Sequence, residues 1–235
     1  MSRAATRNRL LAALPTDDLK RWSPDLHAVK LTQGQVLHQP GHAPSHVYFP
    51  TTAIVSLLYS ASGAPAAEIG MIGNEGIVGA SLLASEEGGS PACAMVQSSG
   101  WGFRLEARRL RAEMERSSVQ QLLLRHTQAL VTQMAQTAAC ARHHSLVQQL
   151  CRWLLLCLDR AEGNELATTQ ALIAAKLGVR RAGVCECAHR LQDDGLIRHA
   201  RGLIAVLDRA GLQRRACGCY AQIRQEYARL SLVDR

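Results

Sequence analysis

The sequence predicts an α+β chain in three parts: an antiparallel β roll, one long helix, and a C-terminal helical module closed by a β ribbon. Three observations carry that reading. Residues 31–103 are rich in Gly, Pro and Ser and hold short apolar runs of strand length, whereas residues 105–160 contain neither Gly nor Pro. Beyond residue 168, two short helical stretches flank a single glycine and an Arg-Gly turn follows them. The 235 residues are 47% apolar and 20% charged, a globular balance that excludes a disordered tail or a low-complexity array. At roughly 150 residues per domain, this length fits one large domain or two small ones.

The roll comes first. Val47-Tyr48-Phe49, the run from Ala53 to Tyr59, Glu68-Ile69-Gly70-Met71-Ile72, Ile77-Val78 and Ala94-Met95-Val96 are each strand length. Turn formers separate them: Pro50, Ser62-Gly63, Gly73-Asn74 and Gly88-Gly89. The long helix follows. Val119, Leu123, Leu130, Met134, Ala138 and Ala141 step by 4, 7, 4, 4 and 3, which is one helix face. Its later half is small enough for close approach of a partner helix. The stripe is buried either on the chain's own roll or against a second copy, and we take it as a dimer interface. The expected division is residues 1–116 as a sensor roll, 117–143 as the dimerisation helix and 144–235 as the C-terminal module.

In that module Thr168-Thr169-Gln170 has the composition of a helix start, with a capping hydroxyl ahead of Ala171-Leu172-Ile173-Ala174-Ala175-Lys176-Leu177. Gly178 permits a left-handed corner, and Arg180-Arg181 opens a second helix through Leu191. This is a helix-turn-helix pattern. Val184 and Leu191, seven apart, bury the second helix, leaving Arg180, Arg181, Gly183, Glu186 and Arg190 outward. Asp194-Gly195 ends it. Arg201-Gly202 is then a tight turn before the strand Leu203-Ile204-Ala205-Val206-Leu207, so the module is a winged helix.

Charge follows the same division. Lys plus Arg is 27 against 19 acids, a formal +8, which favours a polyanionic partner. No Lys or Arg lies between Lys30 and Arg104, whereas residues 144–235 hold 14 basic and 9 acidic residues, a local +5. Aromatics are only 4%, which argues against base stacking on single strands. Apolar runs such as that from Trp153 to Leu158 fall well short of the roughly 18 residues that span a bilayer. Residues 1–14 are Arg-rich without a long apolar core, so neither a signal peptide nor an anchor is expected, and the cytoplasm is the expected location. Reduced thiols are the corresponding default. Cys185-Glu186-Cys187 and Cys217-Gly218-Cys219 are i, i+2 pairs, poor chelates and poor disulfide partners within each pair, and are read as small buried fillers, with a redox or metal role as the alternative. His38, His42 and His46 step by four, but Pro40, Gly41 and Pro44 forbid a helix, so these are read as loop histidines. His126 and His143 carry no positive sign of haem ligation. No metal site and no cofactor are expected. The sequence holds no phosphate loop, nucleophile–base motif or clustered carboxylate pair, so an enzyme is not expected.

The order of roll, long helix and winged helix-turn-helix resembles the Crp/Fnr family of bacterial transcription regulators. Residues 177–184 match that family's turn and recognition-helix start, and residues 191–197 match the segment leading into its wing. Residues 36–49, Gly73 and Gly76-Ile77-Val78-Gly79 fall where its cyclic-nucleotide-binding-like roll has strands and glycine turns. The resemblance implies a homodimer on palindromic double-stranded DNA, with RNA polymerase as partner. It implies Arg181 as the reader of a guanine, with Thr169, Gln170, Arg180, Gly183, Glu186, Arg190 and Arg201 also at the DNA. Ala182 stands where relatives often carry Glu, and Glu186 where some carry a second basic reader, so the operator need not be the usual one. Family members that bind cyclic nucleotides use a Gly-Glu and an Arg-Ser pair. Here Gly79-Ala80 and Ala92-Cys93 stand in those places, a degenerate pocket whose effector the sequence does not identify. A phosphate buried there would find no cationic side chain from the roll, at a cost of about several kcal/mol, so cyclic AMP is not expected. Iron–sulfur members use an N-terminal cysteine cluster, whereas the first cysteine here is Cys93. The competing reading is a small-molecule-binding roll whose basic module docks on protein or RNA.

Overall fold

The computed structural model describes residues 4–61, 65–80 and 90–230. The expected turns at Ser62-Gly63 and Gly88-Gly89 lie outside the described residues. After a single 3-10 turn (Ala5–Arg7), the elements are α1 (Arg9–Ala12), α2 (Thr16–Trp22), β1 (His27–Leu31), β2 (Val36–His38), β3 (His46–Pro50), β4 (Ile54–Tyr59), β5 (Ala67–Ile72), β6 (Cys93–Ser98), β7 (Gly100–Glu106) and α3 (Ala107–Ala112). Then come α4 (Ser117–His143), α5 (Leu146–Leu158), β8 (Glu165–Ala167), α6 (Gln170–Leu177), α7 (Arg181–Asp193), β9 (Ile197–Ala200), β10 (Leu203–Val206), α8 (Arg209–Arg215) and α9 (Gly218–Leu230). The roll is two antiparallel sheets, ordered β1-β7-β3 and β2-β6-β4-β5, and the wing is a third, ordered β8-β10-β9. The fold is α+β, as the sequence predicts. His38 closes β2 and His46 opens β3, so only His42 of the three is a loop histidine.

Contacts gather the chain into two units, one of residues 1–57, 71–132 and 226–235, the other of residues 58–70 and 133–225. In the first, β7 pairs β1 from His27↔Arg104 to Leu31↔Gly100 and β3 from His46↔Glu106 to Pro50↔Gly102. Phe103 and Leu105 face inward and Arg104 outward, the period of two that a half-buried strand requires. Gly100 tolerates no side chain, since a Cβ there would lie 2.5 Å from the Ala53 nitrogen. The core gathers Leu11, Trp22, Phe49, Ile77, Leu105, Leu110, Val119 and Leu123. Asn8, fully buried, is satisfied: it donates to the carbonyls of Pro50 (2.8 Å) and Gly76 (2.9 Å) and accepts from the Leu11 N–H.

This core corrects the long-helix reading. Val119 and Leu123 are 0% and 1% exposed inside the first unit's own core, so they are not available to a partner. Leu130 and Met134 are half-buried, and Ala138 and Ala141 are exposed. The large apolar side chains that α4 leaves open are Leu124 and Val131, 62% and 53% exposed. With Ala138 they repeat every seven residues, the spacing of a helix–helix seam.

The second unit is built on α5. Ser145 caps it through a reciprocal capping box with Gln148, and ten of its residues, from Gln149 to Leu158, are buried. A helix apolar nearly all round belongs inside a core. In the same unit Glu68 accepts from Trp153 Nε1 (2.9 Å) and lies 3.9 Å from Lys176 Nζ.

Candidate nucleic-acid interface

The helix-turn-helix is assembled by local chemistry. The Thr169 hydroxyl caps α6, accepting from the Leu172 N–H at 3.2 Å. Gly178 ends α6 with φ 66° and ψ 33°, a left-handed corner that a side chain would strain. Arg180 then begins α7 in extended conformation, and no side chain caps that end. The Gly183 N–H donates back to the Arg180 carbonyl at 3.1 Å, which leaves the N–H groups of Arg181 and Ala182 for an anion.

Val184, Cys187, Ala188 and Leu191 bury one side of α7, and Arg181, Ala182, Glu186, His189 and Arg190 stand exposed on the other. Arg180, Arg181 and Arg201 are exposed cations with no carboxylate partner among the described residues. Arg201 and Gly202 (φ 77°) form the turn of the wing between β9 and β10. The wing is aligned with α7 by Gln192, whose Oε1 accepts from the His199 N–H at 2.8 Å. β10 is also held by β8, from Leu203↔Ala167 to Ala205↔Glu165.

Two of the expected DNA-contact residues are not open to solvent. Gly183 is half-buried, and a Cβ there would lie 2.9 Å from Leu146 Cδ2, so it provides room for α5 rather than an open surface. Gln170 is only 8% exposed, on the inward side of α6, whereas Ala171 and Leu172 beside it are exposed. Glu186 and Arg190 face outward but form an i, i+4 ion pair with each other. At full exposure such a pair is worth about 0.3–0.5 kcal/mol, so DNA can break it cheaply. His189 is a surface position that the sequence reading missed. It stands four residues beyond Cys185 and eight beyond Arg181, on the same helix face.

The roll positions are also placed. Gly79 is buried with φ 96°, and a Cβ would come 3.3 Å from Val47 Cγ1; Ala92 is buried, and Ala80 and Cys93 are half-buried. Residues 81–89 between them lie outside the described residues.

A capped helix, a glycine corner, a second helix with a basic open end and an Arg-Gly wing define a winged helix-turn-helix. Residues 148–215 match the family model of the Crp-like helix-turn-helix domain. FixK2 from Bradyrhizobium japonicum has a similar structure, at 13% identity and a TM-score of 0.68 over 82% of this chain and 98% of that one. A putative Crp/Fnr-family transcriptional regulator from Eubacterium rectale is similar at 16% identity and a TM-score of 0.67, over 89% and 98%. The c-di-GMP responsive global regulator CLP of Xanthomonas campestris follows at 14% and 0.64, over 83% and 100%. No curated protein matches the chain in sequence. Residues 148–215 thus form a Crp-like helix-turn-helix domain, and the fold is the one seen in these Crp/Fnr-family structures. Among the described residues no helix is long and apolar enough to cross a membrane.

Proposed function

We propose that this chain is a homodimeric transcription regulator, not an enzyme, that binds a palindromic double-stranded operator in the cytoplasm and works with RNA polymerase. The observation that carries the reading is the uncapped N-terminal end of α7, where Arg180 and Arg181 are exposed without carboxylate partners, beside an equally unpaired Arg201 in the wing. The N-terminal residues of a recognition helix are those that reach base edges. Arg181 is the base reader, matching guanine O6 and N7 with its fork; Arg180 and Arg201 contact phosphate. The open face of α4 at Leu124, Val131 and Ala138 supplies the dimer seam, which sets two recognition helices about 34 Å apart. The effector is not cyclic AMP, because residues 31–103 offer no cationic side chain to its phosphate.

Selection of bound DNA from a random pool tests the reading and returns half-site and spacing together. On the selected operator, Arg181→Ala lowers the preference for cognate over point-mutated sites by roughly tenfold or more. Arg201→Ala weakens all sequences alike and lowers the salt slope by about one. Equal losses from Arg181→Ala on every variant would place the recognition helix elsewhere, and selection of RNA over duplex DNA would overturn the proposal.

A further inference from the structure

Four side chains of the second unit meet at the junction between the end of α4 and the start of α9. Cys140 lies in the last turn of α4, and His144 lies four residues on, just past its end. Cys217 immediately precedes α9, and Cys219 sits in its first turn. Their Sγ and ring-nitrogen atoms all lie within 4.8 Å of one another. Cys140 Sγ is 3.5 Å from Cys217 Sγ, and Cys219 Sγ is 3.6 Å from His144 Nδ1. A tetrahedral ion with Zn–S arms of about 2.3 Å and a Zn–N arm of about 2.1 Å spaces its ligands about 3.5–3.8 Å apart. Two opposite edges of that tetrahedron are therefore already near their bound lengths. The three cysteines are buried and the histidine half-buried.

From this geometry we infer a structural Zn2+ site formed by Cys140, His144, Cys217 and Cys219. Three thiols and an imidazole suit a borderline-soft divalent ion, not Mg2+ or Ca2+, which take oxygen ligands. The spacing is too tight to enclose a multi-iron cluster. Four protein ligands close the coordination sphere, so the site is structural, with no open position for a substrate. Binding is not a redox step: each thiol yields its proton to solvent, three in all, and three thiolates with one Zn2+ leave a net charge of −1.

An independent feature supplies the balancing charge. Arg152 on α5 is 4% exposed, donates to Thr137 Oγ1 at 3.1 Å, and leaves its Nε without a partner. It has no carboxylate partner among the described residues, an expensive state for a buried guanidinium. Its positive charge acts on both Cys140 and Cys219. The cation is explained once the neighbouring cluster is an anion. The positive end of α9, whose first turn carries Cys219, likewise suits an anion. Nearby, Tyr220 donates to Asp159 at 3.1 Å and accepts from Arg209, which holds the start of α9 in place.

The test uses the full chain, purified without a histidine tag under anaerobic conditions. Elemental analysis is expected to give one zinc per chain. Cys217→Ser/Cys219→Ser reduces it to background, and Cys185→Ser, outside the cluster, leaves it unchanged. Competition with a chromophoric chelator is expected to show 10–100-fold weaker Zn2+ binding in Arg152→Met, about the cost of losing an outer-shell partner. Should the double variant fail to fold, wild-type protein stripped and reloaded with Co2+ decides: tetrahedral d–d bands with thiolate-to-cobalt charge transfer support the site, and an octahedral spectrum overturns it. A wild-type chain that binds neither ion in the competition titration overturns it too. So does a Cys140–Cys217 disulfide in the anaerobic protein, or iron in place of zinc.

Discussion

Leu123 and Leu124 are adjacent on α4 yet have opposite surroundings, 1% against 62% exposed, and this contrast tests the dimer directly. Full burial of a Leu or Val stabilises by about 1.5–3 kcal/mol. With 62% of Leu124 and 53% of Val131 still exposed, each protomer keeps roughly 2–3 kcal/mol of unrealised burial, and a two-fold pair roughly twice that. At about 1.4 kcal/mol per tenfold, Leu124→Glu/Val131→Glu should weaken dimerisation by roughly three to four orders of magnitude, and like-charge repulsion across the seam adds to this. The isolated fold should hardly notice, since exposed substitutions stay within about 0.5 kcal/mol. Leu123→Ala should do the reverse, costing about 2–5 kcal/mol of stability through the cavity it leaves in the core. The assay is sedimentation velocity across a concentration series, with a thermal melt of each variant. A persistent dimer mass in the double Glu variant would refute the seam. So would a melt of that variant depressed as far as Leu123→Ala at a concentration where the wild type is also monomeric, because it would mean that Leu124 and Val131 pack inside the monomer.

Three further outcomes follow. Glu186→Ala releases Arg190 from its ion pair, so overall DNA affinity should rise and the salt slope steepen by about 0.9, measured by competition binding at two salt concentrations; an unchanged slope would mean Arg190 stays away from phosphate. Calorimetric titration with cyclic AMP should give no binding heat and leave operator affinity unchanged, and micromolar binding would contradict the charge argument. Asp18 has a carboxyl held below the usual range, because the hydrogen bond from Ser118 (2.6 Å) outweighs its burial and Arg21 assists. Since the folded pKa is below the unfolded value of about 3.9, its stabilisation is complete above that value and is lost as pH falls through the folded one. Asp18→Asn should therefore flatten the acid limb of a stability–pH profile below about pH 4, and an unaltered acid limb would exclude the contribution.

Much of the fold was legible because its punctuation is chemical. Thr169, Gly178 and the Arg201-Gly202 turn each announce a specific backbone event, and each is where the structure puts it. Elements without such marks were missed. β1 reads His-Ala-Val-Lys-Leu, and only Leu31 is buried, so its hydropathy does not alternate. β8 is three residues long and owes its existence to pairing with β10. The α4 seam failed for a different reason. Leu122, Leu123 and Leu124 are consecutive, and at 3.6 residues per turn they span more than half the helix circumference. Periodicity then cannot choose which of them faces the core. Helix periodicity placed Arg181, Glu186 and Arg190 outward, but Gly183 has no side chain to register in a hydropathy pattern, and only the Leu146 side chain beneath it shows that it faces in.

The cysteine pairs show where local spacing stops carrying information. The i, i+2 rule sends neighbouring side chains to different sides of a continuous helix, and Cys185 and Cys187 on α7 obey it, one half-buried and one buried. Cys217 and Cys219 do not share a continuous helix: the first residue of α9 is Gly218, between them. Across a helix start the chain is still turning, so both thiols reach the same interior. Two of the four cluster members, moreover, come from more than seventy residues upstream, where Cys140 and His144 share the i, i+4 face that a helix end provides. A Cys-x3-His pair at one helix end and a Cys-x-Cys pair at another helix start are each weak motifs. Their juxtaposition depends on the chain after α4 folding back so that the start of α9 meets the end of α4, and that long-range packing is what the spacing within either pair cannot encode.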